Sequence, residues 1–213
     1  LFMDIFFNHK YGKLFSTWII ILILLIALMI AVGGLTRLTD SGLSITKWEL
    51  FSGIFPPITK EDWVYYFKLY KEIPEYKLQN FSMTMQEFKI IFWWEWIHRF
   101  LGRLIGLAVL VPLIYFTFKN NFKNLISLYI IFLLVCLQGF VGWYMVTSGL
   151  VDRVDVSHYR LSVHLFVAFV IFGSLVWYYL NLKNNLNKNF FFNISEFKSI
   201  KIFMFLIFLQ IIL

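Results

Sequence analysis

The sequence predicts an all-α polytopic membrane protein: an antiparallel four-helix transmembrane bundle, then the start of a fifth span. Three observations carry this. The 213 residues are 60% hydrophobic and only 15% charged, with a mean hydropathy of +0.75, outside the range of soluble globular domains. Four apolar runs, about Leu14–Leu35, Ile90–Phe116, Leu125–Thr147 and Ser157–Leu180, reach the roughly 20 residues needed to cross hydrocarbon. Finally, the basic residues collect in alternate connections.

Lys10 and Lys13 precede the first run, Lys119 and Lys123 lie between the second and third, and Lys183, Lys188, Lys198 and Lys201 follow the fourth. The connections between them, Thr39–Lys89 and Ser148–Val156, are each acidic by one charge. That is the positive-inside pattern, and it puts the N-terminus in the cytoplasm and residues 38–89 in an extracytoplasmic loop. The net charge of +7 therefore reports topology and a lipid bilayer as partner, with no nucleic acid implied. The leader ahead of Leu14 has no arginine and runs straight into a full-length span, so it resembles neither a transit peptide nor a cleaved signal.

Within the loop, Thr59–Tyr76 reads as an amphipathic helix with Trp63, Tyr66, Phe67 and Tyr70 on one face, ended by Pro74. It is expected to lie flat on the membrane, with packing over the mouth of a site as the alternative. The lone Cys136 forms no internal disulfide or metal cluster and reads as a small buried residue. Residues 1–181 form the four-span half and residues 182–199 a cytoplasmic basic linker. The apolar run from Ile200 to Leu213 is too short to cross, so the chain reads as the first half of something longer.

Ionisable residues within spans point to function. The second run carries Glu95, His98, Arg99 and Arg103, and the fourth carries His164. Counted from the outer ends of the two spans, His98 and His164 lie at similar depth, roughly 12 Å along their helices. Two imidazoles at matched depth on different helices suit bis-histidine heme ligation. Glu95, one turn before His98, suits proton transfer, because desolvation near hydrocarbon raises a carboxyl group's proton affinity; a structural pair with Arg99 is the alternative. Gly102 and Gly106 continue the His98 stripe at steps of four and allow close approach of a helix or a flat macrocycle. Arg37, Arg99, Arg103 and Arg160 sit at or near span ends and could clamp heme propionates. His158, at the membrane edge, reads as structural or as support for that site, and His9 as surface. From these residues alone, three functions stay open: an enzyme acting on heme, a bis-histidine b-type electron carrier, and a heme-handling assembly factor.

The blocks AVGGLTRLTDSGLSITKWELFSGIFPP, FWWEWIHRFLGRLIGL, LQGFVGWYMVTSGL and VSHYRLSVHL together resemble heme A synthase. The likeness is to the branch that includes the mitochondrial and α-proteobacterial enzymes; the other branch typically has a cysteine pair in the outer loop, and this loop has none. The resemblance implies an eight-span protein of two four-helix halves that oxidises a methyl group of heme O to the formyl group of heme A for terminal oxidases. By motif, Glu95 takes the catalytic position, and His98 and His164 those of the N-terminal heme site. It further implies a heme b cofactor in a C-terminal half, without which these residues would be inactive. A heme O synthase, an electron acceptor and a second copy of the chain are candidate partners. The location implied is the bacterial inner membrane, or alternatively the mitochondrial one.

Overall fold

The computed structural model describes residues 12–47, 52–119 and 125–184, together with Ile202 and Leu209. Its long helices are α1 (Gly12–Leu38), α4 (Met85–Lys119), α5 (Ile126–Asp152) and α6 (His158–Asn184). Each is long and apolar enough to cross a membrane, as the hydropathy pattern predicts. The loop between α1 and α4 holds a 3-10 turn (Ser52–Ile54), α2 (Lys60–Tyr70) and the short α3 (Pro74–Leu78). Large apolar side chains stay exposed on every long helix, among them Leu24, Leu107, Leu133 and Val163. Such faces would be costly in water and match lipid contact. Cys136 also lies exposed, on α5, against the buried position expected. A helix apolar all round does not reveal which of its faces meets protein. The basic linker and the expected fifth span fall almost wholly outside the described residues.

Contacts divide the chain into two compact units. The helical unit comprises Leu1–Ala27, Ile105–Cys136 and Ser162–Leu213. Phe15, Ile19 and Leu22 of α1, Leu113 and Phe116 of α4, Leu128 of α5, and Ile171 and Leu175 of α6 are buried within it. In this unit α4 carries Pro112, which has no N–H to donate to the carbonyl four residues back. That carbonyl, Ala108 O, instead accepts from Trp18 Nε1–H at 2.7 Å. The proline in mid-span is thus tolerated because α1 supplies the missing donor.

The loop-bearing unit comprises Leu28–Leu104 and Leu137–Leu161. Helix α1 ends where Asp40 adopts a left-handed conformation (φ 47°) and Ser41 N–H reaches back to Thr36 O at 3.0 Å. Helix α2 opens on a capping box, with Thr59 Oγ1 accepting from Asp62 N–H and Asp62 accepting from Thr59 N–H. Thr84 and Glu87 repeat this exchange ahead of α4. Trp63, Phe67 and Tyr70 of α2 are buried against Phe88 and Phe92 at the start of α4, with ring centroids 4.9–6.5 Å apart. The apolar stripe of the loop helix therefore packs on protein, which corrects the expectation that it lies flat on the bilayer. The reason is a platform the hydropathy pattern undercounts: α4 begins at Met85, not near Ile90, and its 35 residues span about 50 Å against a core of ~30 Å. Pro74 likewise does not end the loop helix. The chain leaves α2 at Lys71, and Pro74 opens α3 at its first turn, where a missing N–H costs nothing.

Candidate functional site

Glu95 anchors the site in the loop-bearing unit. It is 2% exposed, and both its oxygens are taken. Oε2 accepts from Ser44 Oγ–H at 2.6 Å and from the Ile45 backbone N–H at 2.8 Å. Oε1 accepts from Arg99 Nη2–H at 2.6 Å and Nε–H at 3.1 Å. Arg99 also donates to Ile45 O at 3.0 Å. The left-handed turn at Asp40 brings the chain back so that Ser44 and Ile45 meet α4, and one residue, Ile45, bonds both members of the buried pair. Glu95 and Arg99 lie four apart on one helix face, the spacing at which such pairs meet. Burial and a bidentate fork make this contact stronger than a surface pair.

His98 lies one turn beyond Glu95 on the same helix and is partly buried. It faces Gly33 of α1: a Cβ at that glycine would come within 3.3 Å of His98 Nε2. The glycines chosen from the sequence do less. A Cβ at Gly102 would make ordinary contact with Met29 at 3.5 Å, and one at Gly106 would meet nothing within 4 Å. The close approach to the histidine belongs to Gly33.

The four arginines differ in what holds them. Arg37 pairs with Asp40 at 3.3 Å and Asp155 at 3.7 Å in an exposed setting. Arg160 donates to Ser148 Oγ and lies over the Tyr144 ring, 4.8 Å from its centroid. Arg99 is committed to Glu95 and Ile45. Arg103 lines a small cleft with Arg99, Lys47, Ile45, Tyr66 and Trp96. In that cleft the indole N–H of Trp96 is buried without a hydrogen-bond partner among the described residues. His158 is exposed at the start of α6. His164, further along α6, is partly buried and belongs to the helical unit.

Gly33 packs against the imidazole of His98, and in the cleft a buried indole donor without a partner among the described residues sits near Lys47, Arg99 and Arg103, a set that suits a carboxylate. Among the described residues, no three His, Cys, Asp or Glu side chains gather as a bare metal-ion site. Ser44, Ile45, Gly33 and Trp96 were not singled out from the sequence. Gly33, Ser44 and Ile45 all fall in the block AVGGLTRLTDSGLSITKWELFSGIFPP, but backbone donors and the neighbours of a glycine leave no periodic signal.

Fold and site together define a polytopic helical membrane protein with a buried carboxylate–guanidinium pair beside a histidine. Residues 16–213 match the family model described as cytochrome oxidase assembly protein. The chain is 55% identical over 177 residues to the heme A synthase of Pelagibacter ubique, covering 82% of this chain and 53% of that relative. It is 48% identical over 198 residues to the heme A synthase of Parvibaculum lavamentivorans, covering 92% and 57%. The heme A synthase of Rickettsia bellii is 48% identical over 174 residues, covering 81% and 51%. No solved structure matches. The chain belongs to the cytochrome oxidase assembly protein family, and it spans about half the length of the curated relatives it matches.

Proposed function

We propose that this chain is the N-terminal heme-binding half of a heme A synthase, which converts a methyl group of heme O to the formyl group of heme A. The observation that carries the reading is Glu95, a carboxylate buried to 2% exposure, one turn from a histidine whose ring nitrogen faces a glycine. A plain electron carrier has no use for that carboxylate. The relatives' names and the family match supply the substrate class.

In this reading His98 would be a ligand to the iron of the substrate heme, and His164 is the other candidate ligand. Arg103, with the indole N–H of Trp96, receives a propionate. Arg99 is occupied in fixing Glu95, so it orients the carboxylate and does not bind substrate. Glu95 would place a carboxylate oriented by Arg99 one helix turn from the imidazole, where positive charge that develops on an oxidised substrate would be stabilised. A C-terminal half of the kind the resemblance implies would supply the heme b site and complete the activity, so 1–213 alone would make no heme A. A heme O synthase would deliver the substrate, and an electron acceptor would take the electrons. The N-terminus would be cytoplasmic, in a bacterial inner membrane.

The test uses full-length protein in cells lacking their own synthase. Glu95→Gln should still bind heme while heme A formation falls by ~10²–10³. His98→Ala should lose the low-spin heme spectrum of this half. Wild-type heme A yield in Glu95→Gln, or an unaltered spectrum in both His98→Ala and His164→Ala, would refute the assignment.

A further inference from the structure

The loop-bearing unit buries a second carboxylate that the mechanism does not use. Glu75, in α3, is 3% exposed. Its Oε1 accepts from Tyr70 O–H at 2.9 Å and from Asn80 Nδ2–H at 3.3 Å, and Asn80 also donates to the Tyr70 oxygen at 2.8 Å. Tyr70 itself is fully buried, its ring 5.2 Å from that of Phe88 on α4. Among the described residues no cation pairs with Glu75. Lys71 sits over the rings of Phe67 and Tyr76, at 4.3 and 5.7 Å from their centroids.

The contrast with Glu95 is chemical. Glu95 has four donors, two of them from the Arg99 guanidinium. Glu75 has two neutral donors on one oxygen and no counter-charge among the described residues. The charged groups that most raise its proton affinity are acidic: Glu95 on α4, Asp155 after α5 and Asp40 after α1. A carboxyl group buried without a counter-charge holds its proton more tightly, which suits it to exchange protons near neutral pH.

We propose that Glu75, held by Tyr70 and Asn80, is a proton-exchanging carboxyl group of this unit. Glu75 is a positioning residue: it touches no substrate and acts on Glu95 through the field across the aromatic core they share. Burial, opposed by the Tyr70 hydrogen bond and reinforced by Glu95, Asp155 and Asp40, pushes its proton affinity up to about 7. Its charge thus changes within the working pH range, and with it the potential at Glu95. The role in heme chemistry rests on the function proposed above, but proton exchange at Glu75 is measurable without turnover.

The experiment is an infrared pH titration of the purified full-length protein, following the carbonyl stretch of protonated carboxyl groups. Wild type should show a buried carboxyl band that disappears as pH rises through about 7. Glu75→Gln should lack it, and Glu95→Gln should keep it. Tyr70→Phe should move its midpoint upward, because the lost donor favours the ionised form. The Tyr70→Phe arm decides the matter if Glu75→Gln does not fold. A band that survives in Glu75→Gln, vanishes in Glu95→Gln, is unmoved in Tyr70→Phe, or never appears would overturn the proposal. In the same preparations, Glu75→Gln should flatten the near-neutral limb of the pH profile of heme A formation, which a merely structural residue would not do. A wild-type protein that shows the band but makes no heme A would refute the proposed function and leave this inference standing.

Discussion

Trp18 and Pro112 allow a sharp energetic test. Pro112 leaves Ala108 O without its helical donor, and Trp18 Nε1–H fills the gap at 2.7 Å. Trp18→Phe removes that donor and leaves a carbonyl orphaned inside the helical unit. An orphaned buried group costs about 1–3 kcal/mol, while polar pairs within membrane bundles average nearer ~0.6. The loss of ring surface adds to this, so the single variant cannot isolate the hydrogen bond. Pro112→Ala can, because alanine restores the N–H that Ala108 O lacks. In that background the indole donor is redundant, and Trp18→Phe should cost only its lost contacts. A double-mutant cycle of reversible unfolding in detergent should therefore give a coupling of about 1–2 kcal/mol. Independent substitutions add within about 0.5 kcal/mol. A coupling below that value would refute the claim that Trp18 compensates for the proline.

Gly33→Ala should perturb the heme spectrum or lower heme occupancy, because its methyl would press within 3.3 Å of His98 Nε2; Gly34→Ala, with nothing within 4 Å, should leave both unchanged. Equal spectra for the two variants would remove Gly33 from the site. Because the proton affinity of Glu75 is raised on folding from 4.5 to about 7, the folded state holds the proton more tightly. Its stability contribution is intact below pH 4.5 and is lost as pH rises to about 7, a fall of roughly 3 kcal/mol. Denaturation of Glu75→Gln across that interval should show a correspondingly flatter dependence, and an unchanged slope would count against the assignment. Lys68 is exposed on α2, so Lys68→Cys should react with an impermeant reagent in intact spheroplasts; labelling only after lysis would invert the topology.

The four long helices were legible because hydropathy over about 20 residues is a bulk property of each segment. The helix in the loop was equally legible, and its cap at Thr59 follows from the residues themselves. Its partner was not. Trp63, Phe67 and Tyr70 would suit a bilayer surface as well as a protein groove, and only the extra turns of α4 before Ile90 decide for the groove. The Glu95–Arg99 pair was visible as spacing, while Ser44 and Ile45, some fifty residues away, were brought to it by one left-handed residue that no periodicity announces. Glu75 was hidden for the opposite reason. A glutamate in a polar loop looks solvated until Tyr70 and Asn80 close around it.

The loop is therefore part of the site's electrostatics. A carboxylate and a guanidinium buried together gain from each other, but desolvation consumes most of that gain unless their remaining hydrogen-bonding capacity is met. In lipid no water is at hand to meet it. Ile45 meets it from both sides, donating to Glu95 and accepting from Arg99, and Ser44 adds a second donor. Three of these groups come from a segment that the turn at Asp40 places against α4, and that segment packs with the aromatic core built on α2. Loosening α2 should thus reach Glu95 without altering any residue that bonds it. The carboxylate one turn from His98 depends on the loop staying folded, and Glu75 belongs to the same folded unit.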